Sequence, residues 1–205
     1  MKRTALLGAV LAVAALGCAD STSLLFPAPA PQPRAIPYRR VAVVEFYDHT
    51  PYRTAGEHLT VQLAEKLANW TTATDFVIVP QSALPGLSDP FAEGKIPLDV
   101  LVRLRRQYLA DAAILGSVDD HNPYWKPSVH LTLKVIDTAT ATFPCELSET
   151  WDATDNQVAA RIQAYYRRNR GSADCRYGPE VFVTSPSYFL RFVADDLANR
   201  ISAAL

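Results

Sequence analysis

Two short segments of the chain place carboxylates directly beside imidazoles. Asp48 precedes His49, and Asp119 and Asp120 precede His121. Side chains of these types transfer protons and ligate metal ions, so a metal or acid/base site built from them is one hypothesis. Both segments follow predicted strands, where open α/β sheets bind ligands. The alternative interpretation is that all five are polar loop residues without a chemical role.

The sequence lacks the common catalytic and cofactor-binding patterns. It contains no HExxH motif, no GxSxG nucleophile elbow, no P-loop and no GxGxxG fingerprint. We therefore predict that the protein is not an enzyme. Under this interpretation it has no catalytic residue, no cofactor and no metal.

Aromatic side chains occur in two loops and at one helix end. Tyrosine and tryptophan are enriched at the hot spots of protein interfaces, and the neighbouring prolines of the NPYWKP segment at 122–127 make that loop rigid. The partner-binding candidates are Tyr47, Tyr52, Tyr124, Trp125, Tyr165 and Tyr166. Two alternatives remain open. The loop aromatics would pack over the sheet edge, or the basic-aromatic run 165–170 would be a solvated helix end.

The N-terminal residues have the parts of an export signal. Lys2 and Arg3 form a basic region, residues 5–16 form an uncharged apolar core, and the segment ALGC follows at 15–18. A helix that crosses a bilayer needs about 20 apolar residues, so this core is too short to span one. It fits the apolar region of a signal peptide.

The ALGC segment resembles the lipobox of bacterial lipoproteins, in which leucine is commoner than Ala15 at the first position. The resemblance implies that the signal peptide 1–17 is removed, that the Cys18 thiol receives diacylglycerol and that the new amine receives an acyl chain such as palmitate. Ala19 stands where an aspartate would retain a lipoprotein at the inner membrane. An outer-membrane lipid anchor with the domain facing the periplasm follows. An ordinary secretory signal and an uncleaved anchor are the alternatives.

Residues 18–38 comprise the lipidated cysteine and a proline-rich tether. The segment PAPAPQP at 27–33 forms neither a helix nor a sheet ladder, because proline lacks the amide proton and fixes φ. Extended polyproline chain rises about 3.1 Å per residue, so the tether would hold the domain roughly 60 Å from the membrane.

Two cysteines remain beyond the lipobox. An even number in an oxidising compartment predicts a disulfide between Cys145 and Cys175, which would close a loop of about thirty residues. Two buried thiols are the alternative. Neither cysteine has a second ligand at zinc spacing, so the pair does not predict a metal centre.

Composition places the rest of the chain in one globular domain, residues 39–205. Of 205 residues, 49% are apolar and 20% charged, which supports a packed core. The net charge of -1 argues against a nucleic-acid partner, because such proteins usually carry a basic excess.

Hydrophobic periodicity predicts the element order β-α-β-α-β-β-β-α-α. Short apolar runs indicate buried strands, and alternating apolar and polar residues indicate a half-exposed hairpin. The predicted strands are 40–46, 76–79, 112–118, 129–137 and 142–151. Helices fill the intervals between the first three strands and follow the hairpin. The prediction is a single α/β domain with a mixed sheet packed by helices.

These segments carry a resemblance to a known superfamily. The series RVAVVEF, DFVIVP, ADAAILGSV and SETWDA resembles the periplasmic α/β domain of the curli-secretion channel lipoprotein, the penicillin-binding-protein activator lipoproteins and the N-terminal domain of the Tol translocation protein. The resemblance spans about residues 39–151 and a closing helix. It implies a non-enzymatic envelope lipoprotein that binds another envelope protein. The alternatives are an oligomeric, ring-forming secretion subunit and a metal-dependent hydrolase that uses the Asp48/His49 and Asp119/His121 loops.

Overall fold

The structure is a computed structural model that describes residues 38–70 and 74–204. In this part of the chain a mixed sheet is packed by helices, which confirms the predicted α/β class. The predicted signal peptide, Cys18 and nearly all of the tether lie outside the described residues. Lipidation therefore stays a prediction.

Parallel and antiparallel strands share the sheet. The strands are β1 (Arg40–Val44), β2 (Tyr47–Asp48), β3 (Asp75–Val79), β4 (Ala112–Asn122), β5 (Ser128–Asp137) and β6 (Cys145–Asp152). The order is β3-β1-β4-β5-β6, and β2 pairs with β4. β1 runs parallel to β3 and β4, whereas β4, β5 and β6 are antiparallel. Parallel neighbours need a crossover connection, which helices supply here, while short turns join the antiparallel strands.

The helices fall between the parallel strands and after the hairpin, as predicted. They are α1 (Ala55–Trp70), α2 (Pro90–Glu93), α3 (Leu98–Gln107), α4 (Asn156–Arg168) and α5 (Pro186–Ala204). Short 3-10 turns at Ala173–Cys175 and Pro179–Val183 and the short helix α2 occupy segments that the sequence predicts as loops, and a further 3-10 turn spans Gln81–Ala83.

The central strand β1 is buried on both faces. Val41 and Val43 belong to a core formed with α1, α4 and α5, whereas Ala42 and Val44 belong to a second core formed with α3. All four side chains are fully buried. This two-sided burial explains why the segment is a continuous apolar run rather than an alternating one.

Helices cover one face of the whole sheet but only part of the other. Along β5, Leu131 and Leu133 are buried in the larger core, while Thr132 and Lys134 are partly exposed on the opposite face. The predicted half-exposed hairpin is therefore confirmed. None of the helices in the described residues has the length and apolar character of a bilayer-spanning segment.

The prediction of a disulfide between Cys145 and Cys175 is wrong. In the described residues Cys145 and Cys175 are both thiols and are not bonded to each other. Cys145 is half-buried at the start of β6 opposite Val135, and Cys175 is buried in a 3-10 turn within the larger core. Each packs as a small apolar side chain, as in the alternative interpretation. Burial, together with the nearby Glu146 carboxylate, raises the pKa of the Cys145 thiol and makes it less reactive.

Candidate functional site

A cleft of about 370 Å³ opens at the carboxyl ends of β1 and β3. β1 leads into α1 on one face of the sheet, whereas β3 leads towards α3 on the other face. Diverging connections of this kind create the crevice in which open α/β sheets bind ligands. The cleft is lined by Glu45, Phe46, Tyr47, Asp48, His49, Arg53, Glu57, Gln81 and Asp89.

Asp48 anchors the start of α1. Its Oδ1 accepts hydrogen bonds from the Thr50 backbone N–H at 3.0 Å and the Thr50 hydroxyl at 2.5 Å. Its Oδ2 accepts one from the Gly56 N–H at 2.9 Å, in the first turn of α1. A Cβ at Gly56 would lie 2.8 Å from the Phe46 carbonyl oxygen, so this close approach requires glycine. The carboxylate is therefore used to hold the loop and helix together.

His49 pairs with Asp89 rather than with its neighbour Asp48. The His49 Nε2 lies 2.8 Å from the Asp89 Oδ2. The other Asp89 oxygen caps α2 by accepting hydrogen bonds from the N–H groups of Phe91 and Ala92. A helix N-terminus thus orients the carboxylate, and the carboxylate orients the imidazole at the rim of the cleft. The Asp89-Pro90 dipeptide is a helix-start signal, but it does not indicate this pairing across 40 positions.

Tyr47 forms part of the cleft wall. Its hydroxyl donates a hydrogen bond to the Ser88 carbonyl at 3.2 Å, and its ring packs edge-on against Phe91 with centroids 6.3 Å apart. Burial, and secondarily the Asp89 charge, raise the pKa of Tyr47 to about 12. The phenol therefore stays protonated and serves as a donor across the cleft. Of the partner-binding candidates, Tyr47 is the one placed on this side.

Asp119 lies apart from the cleft, on the uncovered face of the sheet. It accepts hydrogen bonds from the hydroxyls of Ser117 at 2.5 Å and Thr132 at 2.8 Å. The register shifts at this point, between Val118 and Asp120. Asp119 is thus separated from the other members of the predicted joint site, whereas Asp48 and Asp120 lie near enough to His121 to interact with it electrostatically. Among residues 38–70 and 74–204, no three His, Cys, Asp or Glu side chains are arranged to hold a metal ion.

His121 is buried beneath the β2–α1 loop. It is 6% exposed, and no group in the described residues hydrogen-bonds either ring nitrogen. Burial lowers the pKa of His121, with a smaller contribution from His58, while Asp48 and Asp120 act in the opposite direction. The ring is therefore neutral at pH 7. A buried imidazole with two unpartnered nitrogens carries a desolvation cost of about 1–3 kcal/mol for each.

Exposed aromatic side chains from two loops lie close to His121 or shortly after it in the chain. The Tyr52 ring stands edge-on to His121 at 6.5 Å and to Tyr124 at 5.9 Å, and the two tyrosine hydroxyls lie 3.1 Å apart. Tyr52 is 42% exposed, Tyr124 64% and Trp125 71%. We call these three residues the aromatic surface. The structure thus brings together Tyr52 and Tyr124, two candidates separated by 72 positions.

Of the two partner-binding candidates on α4, one is buried in the core and the other is half-buried. Tyr165 is 2% exposed, because its ring packs edge-on against Phe182 and Phe192 in the core. It cannot contact a partner in this conformation. Tyr166 is half-buried against the same core. Both belong to the basic-aromatic run 165–170, but the inner face of α4 passes through Tyr165.

An ionic cluster between β6, α4 and α5 was not predicted from the sequence. The Asp196 Oδ2 accepts hydrogen bonds from the Trp151 Nε1–H at 2.9 Å and the Arg161 guanidinium at 2.8 Å. Arg161 and Arg200 also contact Glu149, at 3.0 and 2.6 Å. The charges come from three separate elements, so no local pattern reveals them. They hold both C-terminal helices on the sheet.

Comparisons with known proteins give distant likenesses of fold. No protein-family model and no curated protein matches the chain. The PelC dodecamer of Paraburkholderia phytofirmans is 19% identical with a TM-score of 0.48, over 81% of this chain and 86% of that one. Lipoprotein GNA1162 of Neisseria meningitidis is 11% identical with a TM-score of 0.43, over 66% and 99%. Protein XCC0632 of Xanthomonas campestris is 10% identical with a TM-score of 0.41, over 82% and 85%. These values assign the chain to no family.

Proposed function

We propose that the chain is a non-enzymatic, lipid-anchored factor of the cell envelope that binds another envelope protein through the aromatic surface. The observation that carries the proposal is the contact between two exposed tyrosines from separate loops, Tyr52 and Tyr124, with the exposed Trp125 next to Tyr124 in the chain. Large aromatic side chains are the commonest hot-spot anchors of protein interfaces. The predicted export signal and the resemblance of ALGC to a lipobox support a location in the cell envelope.

The loops that carry these side chains have defined conformations. Arg53 and Lys126 adopt φ values of 48° and 57°, the left-handed region that non-glycine residues rarely occupy. Pro123 and Pro127 flank the hairpin aromatics and restrict the backbone further. A rigid loop loses little entropy on binding, so its exposed side chains are efficient anchors.

The carboxylates of the cleft at the strand ends support a structural rather than a catalytic role. Asp48 and Asp89 use both of their carboxylate oxygens in structural contacts. Glu45 accepts a hydrogen bond from the Gln81 N–H, which joins the loops after β1 and β3. A general base must keep a lone pair directed at the substrate, and these carboxylates hold loops and helix starts instead.

Site-specific photo-cross-linking in cells tests this proposal. A photoreactive residue at Trp125 should give a discrete heavier adduct with one envelope protein. The matched control is Leu98, which is equally exposed at 71% but lies at the start of α3. Equal labelling from both positions, or no adduct from position 125, would contradict the proposal.

Alanine substitution separates binding from folding. Tyr124→Ala and Trp125→Ala should abolish an adduct formed from a neighbouring probe at Lys126. Their melting temperatures should equal that of the unsubstituted protein, because exposed side chains contribute little to stability. Loss of the adduct accompanied by a lower melting temperature would assign these residues to folding instead.

A second candidate function is a ring-forming assembly subunit. One observation favours it: β6 ends the strand order of the sheet, so its outer backbone groups offer a pairing edge of eight residues to another copy. Light scattering on the detergent-solubilised protein tests this alternative. A strict monomer excludes it, and a single closed oligomer supports it.

A further inference from the structure

We propose that His121 is an acid-sensitive latch: protonation of its buried ring frees the loop 49–54 and separates Tyr52 from Tyr124. The inference concerns regulation of the aromatic surface and therefore rests on the proposed function. The latch itself is a property of the fold, and it can be measured without any partner.

The position of His121 makes it responsive to protonation. It lies near the end of β4, opposite Val129 of β5, with the Tyr52 ring edge-on above it. At 6% exposure it is nine-tenths buried, and neither ring nitrogen has a hydrogen-bond partner in the described residues. A neutral ring can stay in this place at a moderate cost. An imidazolium ion has two N–H donors and a charge, so it must find acceptors or reach water.

The charged groups that act electrostatically on His121 come from three elements. Asp48 belongs to β2, Asp120 to β4 and His58 to α1. The hydroxyl of Tyr52 belongs to the loop above and points to Tyr124. The two carboxylates are therefore the acceptors that a protonated ring would attract, whereas His58 would repel it if it were also charged.

Asp48 links this charge to the loop. Its oxygens hold the Thr50 backbone, the Thr50 hydroxyl and the start of α1. A charge-assisted bond from His121 would compete for the same oxygens, and such bonds are stronger than those between neutral groups. Weakening the Thr50 contacts loosens the loop whose tip carries Tyr52. The edge-on contact and the hydroxyl contact with Tyr124 then open together.

The burial of His121 determines whether acid opens or closes the contact between Tyr52 and Tyr124. Burial lowers the pKa of His121 below its ordinary value, so the closed arrangement is the neutral-pH form. Acid conditions open it. A partner that binds the closed pair of tyrosines is therefore released on acidification.

Hydrogen exchange of the full-length lipoprotein in detergent, at pH 7.5 and pH 5.0, tests the latch. After correction for intrinsic rates, amides of 49–54 and 123–127 should exchange about tenfold faster at pH 5.0. The increase should vanish in His121→Phe, which replaces the imidazole with an uncharged ring, and in His121→Gln. The matched control is His130→Gln on the uncovered sheet face, which should keep the wild-type response.

The outcomes of the exchange experiment test the latch independently of any partner. Exchange that does not change with pH in the wild-type protein, or that changes equally in His121→Phe, overturns it. His58→Gln tests whether the other nearby histidine causes the faster exchange at pH 5.0. If the pH response is lost in His58→Gln and kept in His121→Phe, the proposal is also overturned. If cross-linking from position 125 finds no partner while the exchange response is present, the proposed function fails and the latch stands.

Discussion

At the scale of single residues, β4 packs tightly against the Phe46 ring at Gly116. A Cβ at Gly116 would lie 2.5 Å from carbon atoms of that ring, which is 3% exposed and cannot move aside. We expect Gly116→Ala to lower the free energy of unfolding by about 1–3 kcal/mol. Urea unfolding measures this loss.

Phe46→Leu is the companion substitution for the same contact. A smaller side chain leaves room for the new methyl group, so the double substitution should cost less than the sum of the two single ones. Additive losses would show that Gly116 is needed for a reason other than the Phe46 ring.

The pH dependence of stability follows from His121. Its pKa is lowered in the folded protein, so the unfolded chain, with an imidazole pKa of about 6.5, binds the proton more tightly. The stabilising contribution is complete above about pH 6.5. It is lost as the pH falls from there to the folded-state pKa, and it does not change further below that value.

His121→Phe removes this pH dependence and, with it, the desolvation cost of both unpartnered nitrogens. At pH 7.5 we expect the variant to be more stable than the wild type by about 1 kcal/mol. The difference should widen at pH 5.0, as measured by urea midpoints. A difference that narrows on acidification would contradict the lowered pKa.

The site residues show where sequence reasoning succeeds and where it ends. Asp48 and His49 line the cleft because both follow strands at the predicted edge. The pairing of His49 with Asp89 depends on where the loop after β3 returns, and no local pattern encodes that path. The aromatic candidates were selected by residue type alone, so one of them, Tyr165, proved to be a core residue.

At the scale of elements, α2 is a four-residue helix held by its cap. Asp89→Ala removes the acceptor for two N–H groups and the partner of His49, so we expect a loss of about 1 kcal/mol. Cleavage by a protease within 84–95 should also become faster. Asp89→Asn keeps the acceptor and should cost less, while Ser88→Ala keeps the carbonyl that Tyr47 uses and should have no effect. Equal effects in all three variants would exclude capping as the cause.

The C-terminal helices depend on the partly buried ionic cluster. Asp196 is 15% exposed in its side chain, and Asp196→Ala leaves the Trp151 N–H and the Arg161 guanidinium without this acceptor. Removing one partner of a fully buried pair costs about 3–5 kcal/mol, and an exposed pair is worth about 0–1 kcal/mol. We expect a loss between these values, which calorimetry should detect as a clear decrease in melting temperature.

Glu146→Ala provides the comparison on the other face of β6. Glu146 pairs with Lys134 at 3.7 Å and is 53% exposed in its side chain. An exposed pair of this kind is worth about 0–1 kcal/mol. If both variants melted alike, the cluster at Asp196 would not be a stabilising unit.

The strands were easier to predict than their ends. The apolar core of β4 was predicted at 112–118, yet the strand continues through the polar residues to Asn122. It does so because β5 extends beside it, pairing Asp120 with His130 and His121 with Val129 after the register shift. Pairing with a partner strand satisfies the backbone there, and hydrophobic periodicity does not report such pairing.

At the scale of the whole molecule, the N-terminal anchor is the expectation with the widest effect. Cys18→Ala should abolish incorporation of labelled fatty acid and move the protein from the membrane fraction to the soluble fraction, or leave an uncut precursor. Cys145→Ala is the matched control and should keep the label, because this thiol packs in β6. Unchanged labelling of Cys18→Ala would reject the lipobox interpretation.

The burial of β1 on both faces has a consequence for how the chain reaches its folded state. Arg40 pairs with Asp75, and Val41 pairs with Ala112, so β1 is synthesised well before the strands with which it pairs. Until those strands are available, the run RVAVVEF exposes apolar side chains on both sides and unpaired edges. Such segments are aggregation-prone, and non-local parallel pairing forms slowly. Newly made chains should therefore depend on a holding chaperone until β4 is available.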